Sequence, residues 1–404
     1  KQGFLRDSSL QQYDSRTDFT EFMFAQARRF ETAIVELLCE SYQIATISRV
    51  PGFQQVLPEA RNTFAEMCEG AKIIYQGVLV DPEHMTYGSP DLLIRSDILA
   101  QLFPEAINQE EALYSASDLP NARWHYRVID IKFKTLGMLA SGELDNAGTS
   151  PAFKVQLAIY NQALGRVQGF EPPTAYILGR GWRQGSARGS NCLDRLGEVS
   201  QTGTLARKRP IKEAMANSIS WLHRVRTQGG EWKVLPNPSV PELYPNCNND
   251  EDWPWHYAKK NIAKELEDLT LLWGVGPQGR AKAHDAGIRR WSSPDMTPEI
   301  VGVTGAITAQ ILGKILEVNR DVTGPPVLPE RVQAAREEWH NAHDLEFFVD
   351  FETVSDLADD FSQLPEKGGQ PLIFMIGCGH VEKGSWAFRS FTVDSLTEEE
   401  ESHI

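Results

Sequence analysis

No apolar run in this 404-residue chain approaches the roughly 18 residues needed to cross a bilayer. The N-terminal stretch KQGFLRDSSLQQYDSRTDF is polar, lacks the apolar core of a secretory signal, and does not open on Met. An intracellular, cytoplasmic protein with a trimmed start is expected. Cysteine is scarce: Cys39, Cys68, Cys192, Cys247 and Cys378 are scattered, and no two lie within four residues of each other. That spacing excludes a paired metal knuckle and argues against a disulfide framework. Positive charge is short too, with 40 Lys and Arg against 55 Asp and Glu and a net charge of −15. Bulk charge therefore excludes simple polyanion attraction. There is no long internal repeat.

What remains is an ordinary globular composition, 41% apolar and 24% charged. The length predicts two or three domains, with apolar mass enough for more than one core. Charge is also unevenly placed. Between Arg180 and Lys233 there are eleven basic residues against four acidic ones, with Arg207, Lys208 and Arg209 consecutive. The plain reading is a solvated face; the sharper one is a phosphate-contacting face.

Apolar periodicity predicts a long amphipathic helix over 18–48, carried by Phe19, Phe22, Met23, Phe30, Ile34, Leu37 and Leu38. A second helix is expected over 54–71, strands over 73–80, 90–95 and 126–133, a helix over 152–168 and a strand over 175–178. This order fits an α/β fold with a mixed sheet flanked by helices. Residues 235–257 hold five prolines and no regular period, so they read as a linker or irregular cap. Residues 262–320 read as helical around Gly274-Val275-Gly276. A break at 324–326, a helix over 329–343 and strands over 347–351 and 372–377 follow. The expected division is 1–240, a linker 241–262, a helical domain 263–325, and a last part 326–404.

Two segments carry chemistry. GSPDLLI (88–94) and YRVIDIKFKT (126–135) each put one acid on an otherwise apolar strand. A buried strand carboxylate is costly unless paired or bound to a cation. Asp91 and Asp130 are 39 residues apart, close enough for two strands to bring them together. Asp130 and Lys132 are two apart and share a strand face. Two adjacent carboxylates repel, and an oxygen-seeking divalent cation such as Mg²⁺ relieves that repulsion. A neighbouring lysine offsets the charge of a phosphate, the minimum equipment for metal-assisted phosphodiester hydrolysis. Glu31 lies beside the apolar stripe of the first helix and is placed to supply a third carboxylate. Gln156 and Tyr160 are one helical turn apart, on one face. The plainer alternative is two unrelated strand acids and an edge lysine.

Glu31, then GSPD ending at Asp91, then IDIK with Asp130 and Lys132, then Gln156-x-x-x-Tyr160 resembles the nuclease domain of the RecB/Cas4 group. That group belongs to the PD-(D/E)XK superfamily and has a restriction-endonuclease-like fold. The resemblance spans about residues 15–240, with five elements in the same order. It implies Asp91 and Asp130 as ligands of Mg²⁺ or Mn²⁺, Lys132 as catalytic lysine and Glu31 as accessory acid. It implies that Gln156 and Tyr160 support the site and the DNA. It also implies DNA, single-stranded or at duplex ends, as substrate and a helicase as partner or fused motor. Two features depart from the group. The first helix, RRFETAIVELL, lacks the histidine often found upstream. The late segment keeps only Cys247 of the three cysteines that, with an early one such as Cys39, would hold an iron–sulfur cluster, so no cluster is expected. The missing histidine, together with an incomplete last domain, leaves a rival reading open, a catalytically silent nucleic-acid-binding or assembly subunit that keeps a nuclease fold.

Residues 266–291, LEDLTLLWGVGPQGRAKAHDAGIRRW, resemble a helix-hairpin-helix element, and 300–315 resemble a second. Such an element offers backbone N–H groups at a glycine turn and helix start to a phosphate. Gly274, Gly276 and Arg280 are the expected contacts, with Lys282, Arg289 and Arg290 nearby; Trp273 and Trp291 are expected in the core. A helical connector is the plainer reading. Finally, LEFFVDFET carries Asp350 and Glu352 on one strand face, with PLIFMIGCGH and WAFRSFTV as following strands. This resembles the opening of an RNase H-like 3′–5′ exonuclease domain of the DEDD type, which implies both acids as metal ligands. Only 52 residues follow Glu352, too few for that domain, so a partial RNase H-like α/β domain is expected. Cleavage by that last domain, with the first domain only binding, is a third reading.

Overall fold

The structure, a computed structural model, describes residues 18–47, 56–249, 252, 254–321, 323–324 and 345–404. The helix expected over 329–343 lies outside the described residues. The chain forms two compact units, one of Glu21–Trp221 with Leu345–Ile404 and one built on Leu222–Asp344.

The first unit is mixed α/β. Its helix α1, Asp18–Cys39, is followed by β1, Ile44–Thr46. The helix expected to reach residue 48 therefore stops early. Ser41 and Tyr42 turn back onto the Leu38 carbonyl, and the β-branched Ile44 and Thr46 pair in parallel with Ile73 and Tyr75. Helix α2, Val56–Glu69, precedes β2, Ile73–Tyr75, and β3, Leu79–Asp81. One strand was expected there, but Gln76 adopts a left-handed φ of 56° and divides it. Then come β4, Thr86–Gly88; β5, Leu92–Arg95; α3, Ser96–Leu102; α4, Gln109–Ala112; and the long β6, Tyr126–Met138. Helix α5, Ser150–Gln168, leads to β7, Thr174–Gln184, β8, Ala187–Gly189, β9, Gly197–Ser200, and α6, Ile211–Gln228.

Seven strands form one sheet in the order β1-β2-β5-β6-β7-β8, with β9 also paired to β7. β1 with β2 and β6 with β7 run parallel; the other neighbours are antiparallel. Each face buries its own core, as period-2 alternation demands. Leu93, Val128 and Ile177 pack with Met67 of α2, Leu157 and Leu164 of α5 and Ile211 of α6. Leu92, Ile129 and Leu178 pack on the other face with Phe30 and Ile34 of α1 and Leu99 of α3.

This unit also holds β10, Phe347–Val354, β11, Leu372–Glu382, and β12, Ser385–Thr392, an antiparallel trio closed by α10, Glu398–Glu401. The loop between β10 and β11 sends Phe361 into the second core.

The other unit is helical: α7, His256–Leu266, α8, Pro277–Asp285, and α9, Ala306–Arg320, around Leu269, Leu272, Val275, Met296 and Leu312. The region expected to be continuously helical is interrupted between α8 and α9. Gly287 and Gly302 take φ of 81° and 78°, and Pro294 and Pro298 supply no N–H. Among the described residues no helix is long and apolar enough to cross a membrane.

Candidate active site

The β5–β6 ladder pairs Leu92 with Ile129, and Asp91 and Asp130 follow at its open end. Asp130 and Asp91 are 2% and 8% exposed. Asp91 Oδ2 accepts a 2.7 Å bond from the Ile131 backbone N–H. Lys132 Nζ sits 2.5 Å from Asp130 Oδ2, and no other donor satisfies that buried oxygen. Both lie on the α5 side of the sheet, since Val128 two residues earlier is in the α5 core.

Glu31 enters from α1. Its Oε1 accepts bonds from Tyr75 Oη at 2.9 Å and Gln76 Nε2 at 2.8 Å. The backbone N–H of Gln76 donates to the Asp91 carbonyl at 2.8 Å. Gln76 thus ties Glu31 to the Asp91 strand end. From α5, Gln156 Nε2 donates to Tyr160 Oη at 2.9 Å. Gly88 admits the Tyr160 ring: a Cβ there would lie 2.2 Å from Cε1. All six residues expected from 31 to 160 therefore gather at one end of the sheet. Tyr75, Gln76 and Phe153 were not anticipated. Phe153 carries Lys132 Nζ 5.3 Å and Lys134 Nζ 5.6 Å from its ring centroid. The only sequence signal for Gln76 was the glycine after it, in IIYQG.

The electrostatics are those of crowded carboxylates. Burial pushes the Asp91 carboxyl well above its usual range, and Asp130 and Glu31 push it further. Burial alone would lower Lys132, but the Asp130 carboxylate outweighs it, and the ammonium ends above its ordinary value. Burial raises the Tyr160 hydroxyl, opposed by the Gln156 bond. A hard divalent cation fits this donor set, since it would engage the Asp130 oxygen that no donor but Lys132 satisfies among the described residues and let Asp91 ionise. Among the described residues no three His, Cys, Asp or Glu side chains enclose an ion. Mg²⁺ does not need them, because it keeps several waters and is commonly held by one or two carboxylates plus substrate phosphate.

The remaining expected residues fall elsewhere. Asp350 and Glu352 lie exposed on β10, and among the described residues no third acid completes a cluster with them. Arg207, Lys208 and Arg209 are exposed at the tip of a turn that Leu205 N and Arg209 O close at 2.8 Å. Gly274 has φ of 75° with open space where a side chain would be, and Gly276 is the N-cap of α8. A second turn repeats this, with Gly302 at 78° and Gly305 capping α9.

Arg280 corrects the expected phosphate contacts. It is 8% exposed, ion-paired with Asp268 at 3.2 Å, and donates to the Pro245 carbonyl. A guanidinium spent on a buried carboxylate belongs to the core of its unit. Trp291 packs on the helical core as expected, but Trp273, beside the first glycine turn, is 53% exposed. No protein-family model, no curated protein and no solved structure matches this chain.

Proposed function

We propose that this chain is a Mg²⁺- or Mn²⁺-dependent nuclease that hydrolyses phosphodiester bonds in DNA, with a restriction-endonuclease-like first unit. One observation carries the reading: Glu31, Asp91 and Asp130 converge on a single sheet end, where Asp91 is driven to hold a proton unless a cation arrives. A purely structural core would rarely gather three acids with Lys132 as the one cation that, among the described residues, pairs with them.

Asp91 and Asp130 would hold the metal, which supplies Lewis-acid stabilisation of charge on the scissile phosphate. Lys132 keeps its proton, since its pKa is raised, and so acts as a positive charge beside the phosphate rather than as a base. Glu31, oriented by Tyr75 and Gln76, accepts a hydrogen bond from the attacking water. Gln156 and Tyr160 present polar atoms to the nucleic-acid backbone. Arg207, Lys208 and Arg209 and the two glycine turns supply sequence-independent phosphate contacts. In this reading β10–β12 are RNase H-like, and a helicase is the natural partner.

The test uses the purified full chain on labelled single-stranded DNA, duplex DNA and RNA, with Mg²⁺, Mn²⁺, Ca²⁺ or chelator. Cleavage of DNA that needs Mg²⁺ or Mn²⁺ and disappears in Asp130→Asn supports the reading. Binding without cleavage under every metal condition favours the silent nucleic-acid-binding subunit.

A further inference from the structure

The loop joining β10 to β11 is anchored on the elements that carry the candidate site. On the α1 side, Gln26 Nε2 donates to the carbonyls of Leu357 at 2.7 Å and Asp359 at 3.1 Å. Gln26 is 3% exposed and receives a 2.7 Å bond from Arg29. On the sheet side, the buried Arg180 of β7 pairs with Asp356 at 2.8 Å. Lys367 closes on the same carboxylate. Further along, the Cys192 N–H donates to the Pro365 carbonyl at 2.8 Å, and Asn191 donates to Glu366 at 2.9 Å.

Between these anchors stands Phe361, whose ring lies 5.6 Å from that of Phe30 and 5.7 Å from that of Phe133. Phe30 immediately precedes Glu31, and Phe133 immediately follows Lys132. β6 also breaks register with β7 between Lys132 and Thr135, where strand pairing alone holds the chain least. Phe361 itself has φ of 66°, an outlier for a bulky residue. Such strain persists only where surroundings over-determine it, and it concentrates at functional sites. Asp359 holds the conformation by accepting from the Phe361 N–H at 2.8 Å.

We infer that the loop Asp356–Lys367 is a clamp on the nuclease site, and that Phe361 is a positioning residue that sets Glu31 and Lys132 relative to one another. The inference rests on the proposed nuclease reading and deepens it: the catalytic unit is discontinuous, and a chain cut near residue 240 lacks part of what shapes its site. The loop's anchors join α1 to β7 through polar contacts as well as through one aromatic ring. Displacing the ring frees the two backbone segments that aim the acid and the lysine.

The experiment uses the full chain with Phe361→Ala, Phe361→Leu and Asp356→Asn. Hydrogen exchange follows the amides of residues 31–34 and 131–134. Mn²⁺ binding is read by electron paramagnetic resonance without DNA, and kcat and KM are measured on single-stranded DNA. For Phe361→Ala, exchange should quicken in those two segments before elsewhere. Mn²⁺ affinity should weaken about 10- to 100-fold, as for lost orienting partners of metal ligands. A similar loss should fall on kcat, with KM changed little, and Phe361→Leu should restore part of each. Should Phe361→Ala fail to fold, Phe361→Leu and Asp356→Asn carry the same comparison in milder form. Unchanged exchange, Mn²⁺ binding and kcat in a folded variant overturn the clamp, as does exchange that quickens uniformly. A wild-type chain that cleaves no DNA overturns the nuclease reading, while the exchange arm still decides the clamp.

Discussion

Gly88 and Tyr160 touch with no room for a methyl group: a Cβ on Gly88 would meet the Tyr160 ring at 2.2 Å. The glycine of GSPD is therefore a packing requirement for the tyrosine of the Gln156–Tyr160 pair. Gly88→Ala should displace the ring and cost about 1–3 kcal/mol through overpacking. Thermal unfolding reads the cost. Tyr160→Ala in the same chain should remove the Gly88→Ala penalty, and a penalty that survives in the double variant would refute the contact.

Asp91 makes stability depend on pH in a direction that can be worked out. Its native pKa is raised, mainly by burial and then by Asp130 and Glu31. The unfolded value is about 3.9. Above that value the unfolded chain has released this proton while the native chain still holds it. Stability therefore falls as pH rises towards the raised native pKa. Without divalent metal, the melting temperature should decline across that window. Asp91→Asn should flatten the decline, and added Mg²⁺ should do so by stabilising the ionised form. A decline of the same slope in Asp91→Asn would assign the dependence to other groups.

Asp130→Asn and Lys132→Ala should both reduce cleavage by at least about 100-fold, the scale of losing one key electrostatic group. Their effects on stability should have opposite signs. Lys132→Ala strips the ion pair from a carboxylate that is 2% exposed and leaves its Oδ2 unpaired, which destabilises. At a pH above the raised Asp91 value, where both acids are ionised, Asp130→Asn removes one of two repelling buried carboxylates and should be neutral or stabilising without metal. Denaturant unfolding of both variants without metal checks the signs, and equal destabilisation would contradict the charge arrangement described.

Legibility differed by element and for physical reasons. Asp130 and Lys132 were readable as sharing a face because residues two apart on any strand do so. The Gln156–Tyr160 spacing was equally readable, since helical geometry alone fixes it. Gln76 was not, because its left-handed φ of 56° arises from the chain turning out of β2, which no periodicity reports. The end of α1 at Cys39 was overrun although the apolar stripe ends at Leu38, because the β-branched Ile44 and Thr46 become a strand only by pairing with Ile73 and Tyr75. Phe361 was invisible for the same reason: its partners, Phe30 and Phe133, lie more than 200 residues away.

Arg280 and the Arg207–Arg209 turn separate two kinds of basic residue. A chain of net charge −15 must bind a polyanion locally if it binds one at all. Arg207, Lys208 and Arg209 are exposed, and no ion pair engages them among the described residues, so their charge is available to phosphates. Each phosphate neutralised releases condensed counterions, which gives a log–log salt slope of roughly −0.7 per contact on single strands. Replacing all three with Ala should make the slope shallower by up to about 2 and weaken binding to every sequence alike. Arg280→Ala should behave otherwise. It leaves Asp268, which is 1% exposed, without its cation, and should destabilise the helical unit by about 3–5 kcal/mol. Where that variant stays folded, its salt slope should match the parent's. Binding measured by fluorescence anisotropy across a salt series, beside unfolding curves for both variants, makes the comparison. A slope that Arg280→Ala changes and the triple substitution does not would invert the assignment and move the phosphate path to the helical unit.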